Sequence, residues 1–414
     1  MITSHQLDLP DEFLLPDYSG GSVANVPATV AALLDVPFVG LPPLRDELWQ
    51  SLAGVKRVVV LLVDAWGWNL LEQERGNLAG LLGRTAVSST ITSIFPSTTV
   101  AALSSMWTGT APAQHGLVGF RLFMPDYAVL TQMIHFTPTF GIYPDALIEA
   151  GLDPETFLAV PGFAEQLTAA GVSSYAFKGR EIVNSALSKM HDRGVTADYG
   201  ASSLADMFVQ IRQLLEAKAG ERLFVNAYWP VVDTLSHIYG WNQEPVAAEL
   251  RAIMMLLEAE LFNKLSLAAR RDTAVFLMAD HGQVVTPKAQ RIFLDEHPRL
   301  QEMLLMRPAG EPRTVYLYAK HGRQADILQY INEELNHAMV ALPAETALTA
   351  GLLGPLPHAA QTAERVGDVI ATMRQGYVLL TPPEREKANK MQGRHGGMTE
   401  AEMRVPWLGF RLDE

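Results

Sequence analysis

Short unbroken apolar runs alternate along this chain with longer stretches in which apolar residues recur every three or four positions. The runs Val58-Val59-Val60-Leu61-Leu62-Val63, Leu223-Phe224-Val225-Asn226-Ala227-Tyr228-Trp229 and Thr273-Ala274-Val275-Phe276-Leu277-Met278-Ala279 have strand length and almost no polar positions. That is the pattern of parallel strands covered on both faces by helices. The periodic stretches predict helices over 161–170, 203–219 and 245–265, with a short strand at Ser173 to Phe177 between the first two. From Ala86 to Ile94 small polar and β-branched residues alternate, which predicts another strand. Pro96 breaks it, Ser97 is expected to cap a helix running to about Trp107, and Gly109 is expected to stop that helix.

Residues 1–54 are rich in Pro and Gly, with one helical stretch at Ala24 to Leu34, and read as an arm packed on the core. Residues 55–295 read as the first part of an α/β core, within which the aromatic, Pro-bounded stretch Arg121 to Gly141 supplies loops and short strands near the site. Between Gln283 and Gln392 short strands and helices alternate, Arg313 to Ala319 and Ala325 to Glu334 among them, with Pro- and Gly-rich joins around Gly351 to Pro357. Residues 296–365 are therefore expected to form a small inserted cap subdomain over the edge of the sheet. Residues 366–414 are expected to return to the core through strands at Val366 to Ile370 and Gly376 to Leu380. There is no internal repeat and no low-complexity segment.

Composition narrows the chemistry. With 414 residues, 48% of them apolar, the chain can bury one large core or two smaller ones. A formal net charge of −13, with no Lys/Arg cluster, argues against a nucleic acid polymer as partner. A small phosphate substrate stays compatible, because bound cations would supply positive charge locally. The absence of cysteine excludes disulfides, thiolate metal sites and a cysteine nucleophile, and leaves His, Asp and Glu as ligands. Met1 to Leu15 carries acids and no apolar segment of signal length, and the apolar runs elsewhere are strand-sized, so a cytoplasmic protein with no membrane partner is expected.

Three acids, Asp64, Asp233 and Asp280, and two histidines, His237 and His281, lie at or just beyond the C-terminal ends of predicted strands. Open α/β sheets bind their ligands at that edge. Each has a plain structural reading as well: Asp64 could cap a helix over Trp66 to Glu74, and Asp233 with His237, four residues apart, could be a solvated surface pair. Four His-Gly pairs occur, at His115, His281, His321 and His395. Only His281 follows an acid and a core strand; His321 reads as a surface turn and His115 as structural. His395 lies in the glycine-rich Gly393-Arg394-His395-Gly396-Gly397, which suits a loop that brings backbone close to a ligand. Thr98 and Thr99 fall in the first turn of the helix after Pro96, where free N–H groups favour an anion. Thr99 is the candidate nucleophile and Thr98 the alternative.

Taken together, the motifs resemble the alkaline phosphatase superfamily and, within it, the type I phosphodiesterase/nucleotide pyrophosphatase family. The resemblance rests on the strand ending at Asp64, the Phe95-Pro96-Ser97-Thr98-Thr99 turn with Thr108-Gly109 and His115-Gly116 downstream, Asp233-x-x-x-His237, Asp280-His281-Gly282 and Gly393-x-His395-Gly396. The fold then expected is a three-layer α/β/α sandwich, alkaline-phosphatase-like, with a mostly parallel central sheet. The resemblance implies two divalent ions, zinc foremost and manganese or iron as alternatives. Asp64, Thr99, Asp280 and His281 would hold one, and Asp233, His237 and His395 the other. It implies attack by Thr99 on a phosphoric ester or pyrophosphate, a phospho-threonine intermediate, and its hydrolysis by a water activated at the second ion. The substrate class is a small phosphate ester or nucleotide. Family diesterases carry Pro-Asn two and three residues past the nucleophile, where this chain has Ala101 and Ala102. Lys178, Arg121 and Asn184 are the candidate replacement donors to a phosphate oxygen. The same metal core would also serve a phosphomonoesterase, a phosphonate hydrolase, a phosphotransferase or mutase, or a non-catalytic metal-binding relative.

Overall fold

The computed structural model describes residues 7–413. Its main layer is a seven-stranded sheet in the spatial order Val87–Thr92, Arg404–Arg411, Thr273–Met278, Arg57–Val63, Leu223–Trp229, Ser173–Gly179, Ala197–Ala201. Arg404–Arg411 runs antiparallel to both its neighbours, and the remaining pairs are parallel. The chain is a three-layer α/β/α sandwich, as the alternation of runs and amphipathic stretches implied. The central strands are buried at every position, which is why their sequences show no polar face. Among the described residues, no helix is long and apolar enough to cross a membrane.

Register decides where the chemistry falls. Leu62 lies beside both Tyr228 and Met278, and Val63 beside Trp229. Asp64, the helix entered at Pro230, and Asp280 therefore leave the sheet side by side at one edge.

A second seven-stranded sheet, antiparallel throughout, lies in the order Met339–Pro343, Val369–Met373, Thr314–Leu317, Ala309–Glu311, Arg121–Met124, Val129–Gln132, Thr137–Pro138. The stretch 296–365, expected as a small inserted cap subdomain, supplies three of these strands. Two distant segments join there, with Gly310 paired to Arg121. Such long-range pairing leaves no mark in local periodicity. The strand expected at Val366 to Ile370 also shifts: Thr362–Val366 is helical, Gly367 turns the chain at φ +67°, and the strand starts at Val369. Near the N-terminus the helix Val26–Leu33 is largely buried.

One ion pair joins the second sheet to the loop that carries His395. Arg313 and Glu402 are both fully buried, with Nε donating to Oε1 at 2.8 Å and Nη2 to Oε2 at 2.7 Å. Glu402 also accepts from the Gly397 N–H at 2.8 Å and the Thr399 hydroxyl at 2.6 Å. Removing one partner strands a buried charge, so Arg313→Ala should cost about 3–5 kcal/mol in urea unfolding. The double variant Arg313→Met/Glu402→Leu should lose less than the single one; a double loss equal to or larger than the single would show that the pair is not what holds this loop.

Candidate metal centre

The end of the Arg57–Val63 strand supplies the first carboxylate. Asp64 is 2% exposed, and its Oδ2 accepts a hydrogen bond from the Tyr228 hydroxyl on the adjacent strand. The next residue, Ala65, turns at φ +59°, which aims its N–H at Asp280 Oδ1 (3.1 Å), an oxygen that also accepts from the His281 N–H (3.0 Å). The helix that follows is Trp68–Glu74 with Gly67 as its N-cap, so Asp64 is not a cap. These bonds leave Asp64 Oδ1 and Asp280 Oδ2 buried with no hydrogen-bond partner among the described residues. His281 Nε2 lies 3.6 Å from the first and 3.4 Å from the second.

The second group hangs from the helix Val231–Tyr239. Asp233 and His237 sit one turn apart on one face, with Asp233 Oδ1 3.4 Å from His237 Nε2 and 3.7 Å from His395 Nε2. Gln283 holds the carboxylate in place, its amide donating to Asp233 Oδ1 at 2.5 Å. With side-chain exposures of 17% and 21%, Asp233 and His237 are not a solvated surface pair. The rings of His281 and His395 stack at 3.9 Å, and those of His237 and His395 lie 5.1 Å apart.

All three imidazoles are oriented from behind. Nδ1 of His281 meets the Gly282 carbonyl at 3.1 Å, that of His237 the Gly393 carbonyl at 2.8 Å, and that of His395 the Ser97 carbonyl at 3.0 Å. A carbonyl can only accept, so Nδ1 carries the proton and Nε2 presents a lone pair to the cluster. Two sets, Asp64/Asp280/His281 and Asp233/His281/His395, each have ligand atoms within 4.8 Å of one another.

Thr99 is the first residue of the helix Thr99–Thr108, and its Oγ1 is 3.1 Å from His281 Nε2. The helix starts one residue later than Pro96 suggested: Thr98, not Ser97, is the N-cap. Ser97 instead donates its hydroxyl to the Gly397 carbonyl (2.7 Å) and accepts from the Gly396 N–H (3.2 Å), tying the nucleophile turn to the His395 loop. Thr98 Oγ1 is buried beside the Glu311 carboxyl and is not the hydroxyl bonded to His281. Ala101 and Ala102 are fully buried in the main core cluster, so the departure noted there falls on core positions, not on a surface a substrate could touch. Of the proposed replacement donors, Lys178 is held by Asp192 (2.7 Å) and Asp198 (3.4 Å), Arg121 by Glu384 (3.0 Å), and Asn184 is exposed. His115 is fully buried against Ser105, and His321 lies in an exposed turn, as expected of both.

Sequence reading missed Glu311. It is 4% exposed at the end of a three-residue strand, with Oε2 3.7 Å from His395 Nδ1, and burial pushes its carboxyl up to about 8. A lone acid before Pro312 in a short edge segment carries no signal of such a place.

Burial holds the Asp64 carboxyl well above the usual carboxylate range, and the nearby Asp280 and Asp233 charges push it the same way. Burial also raises Asp280. His395 is held well below the ordinary histidine range, first by burial and then by His281 and His237. Two buried carboxylate oxygens without partners, with His281 Nε2 beside both, form a donor set that a divalent cation completes.

A family model described as type I phosphodiesterase/nucleotide pyrophosphatase matches residues 58–398. By sequence, no curated protein matches. Among solved structures, the chain is similar to murine ectonucleotide pyrophosphatase/phosphodiesterase 5, at 18% identity and a TM-score of 0.64, over 85% of this chain and 87% of that one. It is also similar to an inactive threonine-to-alanine variant of the murine protein in complex with AMP, at 17% identity and a TM-score of 0.62, over 86% and 88% of the two chains. A third is phosphonoacetate hydrolase from Sinorhizobium meliloti 1021 in complex with phosphonoformate, at 18% identity and a TM-score of 0.62, over 86% and 90%.

The carboxyl pKa shifts set a pH dependence. Without cations, Asp64 and Asp280 bind protons more tightly folded than unfolded, so stability falls as pH rises from the ordinary carboxylate range through the raised values. A cation takes the place of those protons. The increase in melting temperature on adding Zn2+ should therefore grow from about pH 5 to about pH 8 in calorimetry; an increase of constant size, or none, would contradict this reading of the cluster.

Proposed function

The chain belongs to the type I phosphodiesterase/nucleotide pyrophosphatase family and is a hydrolase of phosphoric ester or pyrophosphate bonds, and from that premise we propose that it cleaves small phosphate esters or nucleotides with Thr99 as nucleophile and two divalent cations as cofactors. The observation that carries this reading is the Thr99 hydroxyl, 3.1 Å from the imidazole shared by both candidate ligand sets. In this reading Asp64, Asp280 and His281, with the Thr99 oxygen, hold one ion, and Asp233, His237 and His395 hold the other. Carboxylate and imidazole ligands without thiolate suit zinc, and accept manganese or iron. Bound there, the ions would neutralise phosphoryl charge and lower the pKa of the Thr99 hydroxyl.

The chain's own part follows from its geometry. Thr99 Oγ1 attacks phosphorus, forming the Thr–O–P bond as the bond to the leaving oxygen breaks, and water later cleaves the phospho-threonine. The first-turn N–H groups of the Thr99–Thr108 helix face the anion that builds up there. Ser97 keeps the turn and the His395 loop in register through both cycles. AMP and phosphonoformate in the similar proteins support a small anionic ligand. Hydrolysis of a phosphonate is the second reading, favoured by the likeness to phosphonoacetate hydrolase.

The test is substitution of the nucleophile. Thr99→Ala should lower kcat on a nucleotide or aryl phosphodiester by about 10³-fold or more, whereas Thr98→Ala should still form a covalent adduct detectable by intact mass under single turnover. An adduct on Thr98, or full turnover by Thr99→Ala, would reject the assignment.

A further inference from the structure

Beside the metal centre lies an arginine without a counter-ion. Arg394 directly precedes His395, is 8% exposed, and makes no side-chain hydrogen bond or ion pair among the described residues. Of the carboxylates around it, Glu384 is occupied and Glu311 only in part. Glu384 accepts from the Thr381 N–H (2.8 Å) and hydroxyl (2.7 Å) with one oxygen and from Arg121 Nη1 (3.0 Å) with the other. Glu311 has one oxygen 3.7 Å from His395 and the other without a partner. Arg121 is paired across the second sheet to Gly310, the residue before Glu311, and its Nε donates to the Gly310 carbonyl at 3.3 Å. Two guanidiniums and the Thr98 hydroxyl thus border the same neighbourhood, next to the nucleophile turn.

A guanidinium so little exposed, unpaired with any carboxylate yet with nitrogens still open to solvent, is placed to receive an anionic ligand. Glu384 and Glu311 attract its charge, while Arg291 and Arg121 repel it. Arg291 is committed elsewhere, to Asn389 and to the Thr286 and Met391 carbonyls. What fits is an anion with at least two oxygens in a plane or a fork, the partner a guanidinium binds best.

We propose that Arg394, beside the Arg121–Glu384 pair, forms an anion pocket that takes a second negatively charged group, a carboxylate or a phosphate, of the substrate whose phosphoryl group meets Thr99. The pocket rests on the reading of Thr99 and its cluster as the reacting centre. It makes the preferred substrates compounds with two anionic groups, and it makes Arg394 a determinant of specificity.

The test uses the full chain loaded with Zn2+ and carrying Thr99→Ala, titrated calorimetrically with inorganic pyrophosphate and with inorganic phosphate. Pyrophosphate should bind about tenfold or more tighter than phosphate. Arg394→Gln should bring that ratio towards one, and Arg394→Lys should restore part of it. An unchanged ratio in Arg394→Gln overturns the proposal, as does equal weakening of both anions, the mark of a merely structural arginine. Should Arg394→Gln fail to fold, Arg121→Gln, which frees Glu384 to pair with Arg394, must lower the same ratio. A carboxylate source is separated from a phosphate source by comparing kcat/KM of wild type and Arg394→Gln on aryl phosphodiesters with and without a carboxylate on the ring. Turnover surviving in Thr99→Ala would sink the threonine reading while the binding ratio still decides the pocket.

Discussion

Mutual repulsion among buried acids is the constraint the rest of this molecule answers to. Parallel register brings Asp64 and Asp280 to one sheet edge, and the helix after the neighbouring strand adds Asp233. Burial raises both the Asp64 and the Asp280 carboxyl, and for Asp64 the neighbouring Asp280 and Asp233 charges add to it. Divalent cations, in the proposed reading, would offset that charge more fully than protons and would act on a phosphoryl group.

Much of the surrounding structure serves to keep that edge from relaxing. Three backbone carbonyls orient the imidazoles, Tyr228 and two N–H groups fix the carboxylates, and Gln283 pins Asp233. Ser97 ties the turn before Thr99 to the His395 loop, some 300 positions away, and the buried Arg313–Glu402 pair ties that loop to the second sheet. A site held by such partners would need little reorganisation if charge develops at a bound phosphoryl group, as the proposed reading requires.

How far the chain could be read in advance follows from the kind of signal each part carries. The central strands were legible because burial on both faces leaves an unbroken apolar run, and the acids that end them were legible because a charge after such a run has few other uses. The nucleophile helix was legible from Pro96 and Gly109 to within a residue; Ser97 was misread as its cap because its hydroxyl serves a loop some 300 positions away, a partner no local pattern names. The second sheet was legible only as short strands, since its pairing of 121–138 with 309–373 is long-range. Glu311 and the role of Arg394 were invisible for the same reason. Ala101 and Ala102, where the family diesterases carry Pro-Asn, are buried in the core.

The central claim is spatial: one pair of cations is held between Asp64, Asp280 and His281 on one side and Asp233, His237 and His395 on the other, within reach of Thr99. Anomalous diffraction at the zinc edge from crystals grown with Zn2+ tests it most directly. The account predicts two anomalous peaks about 4 Å apart, one beside each ligand set and with Thr99 Oγ1 next to the first. A single peak elsewhere, or Asp64 and His395 on no peak, would contradict it.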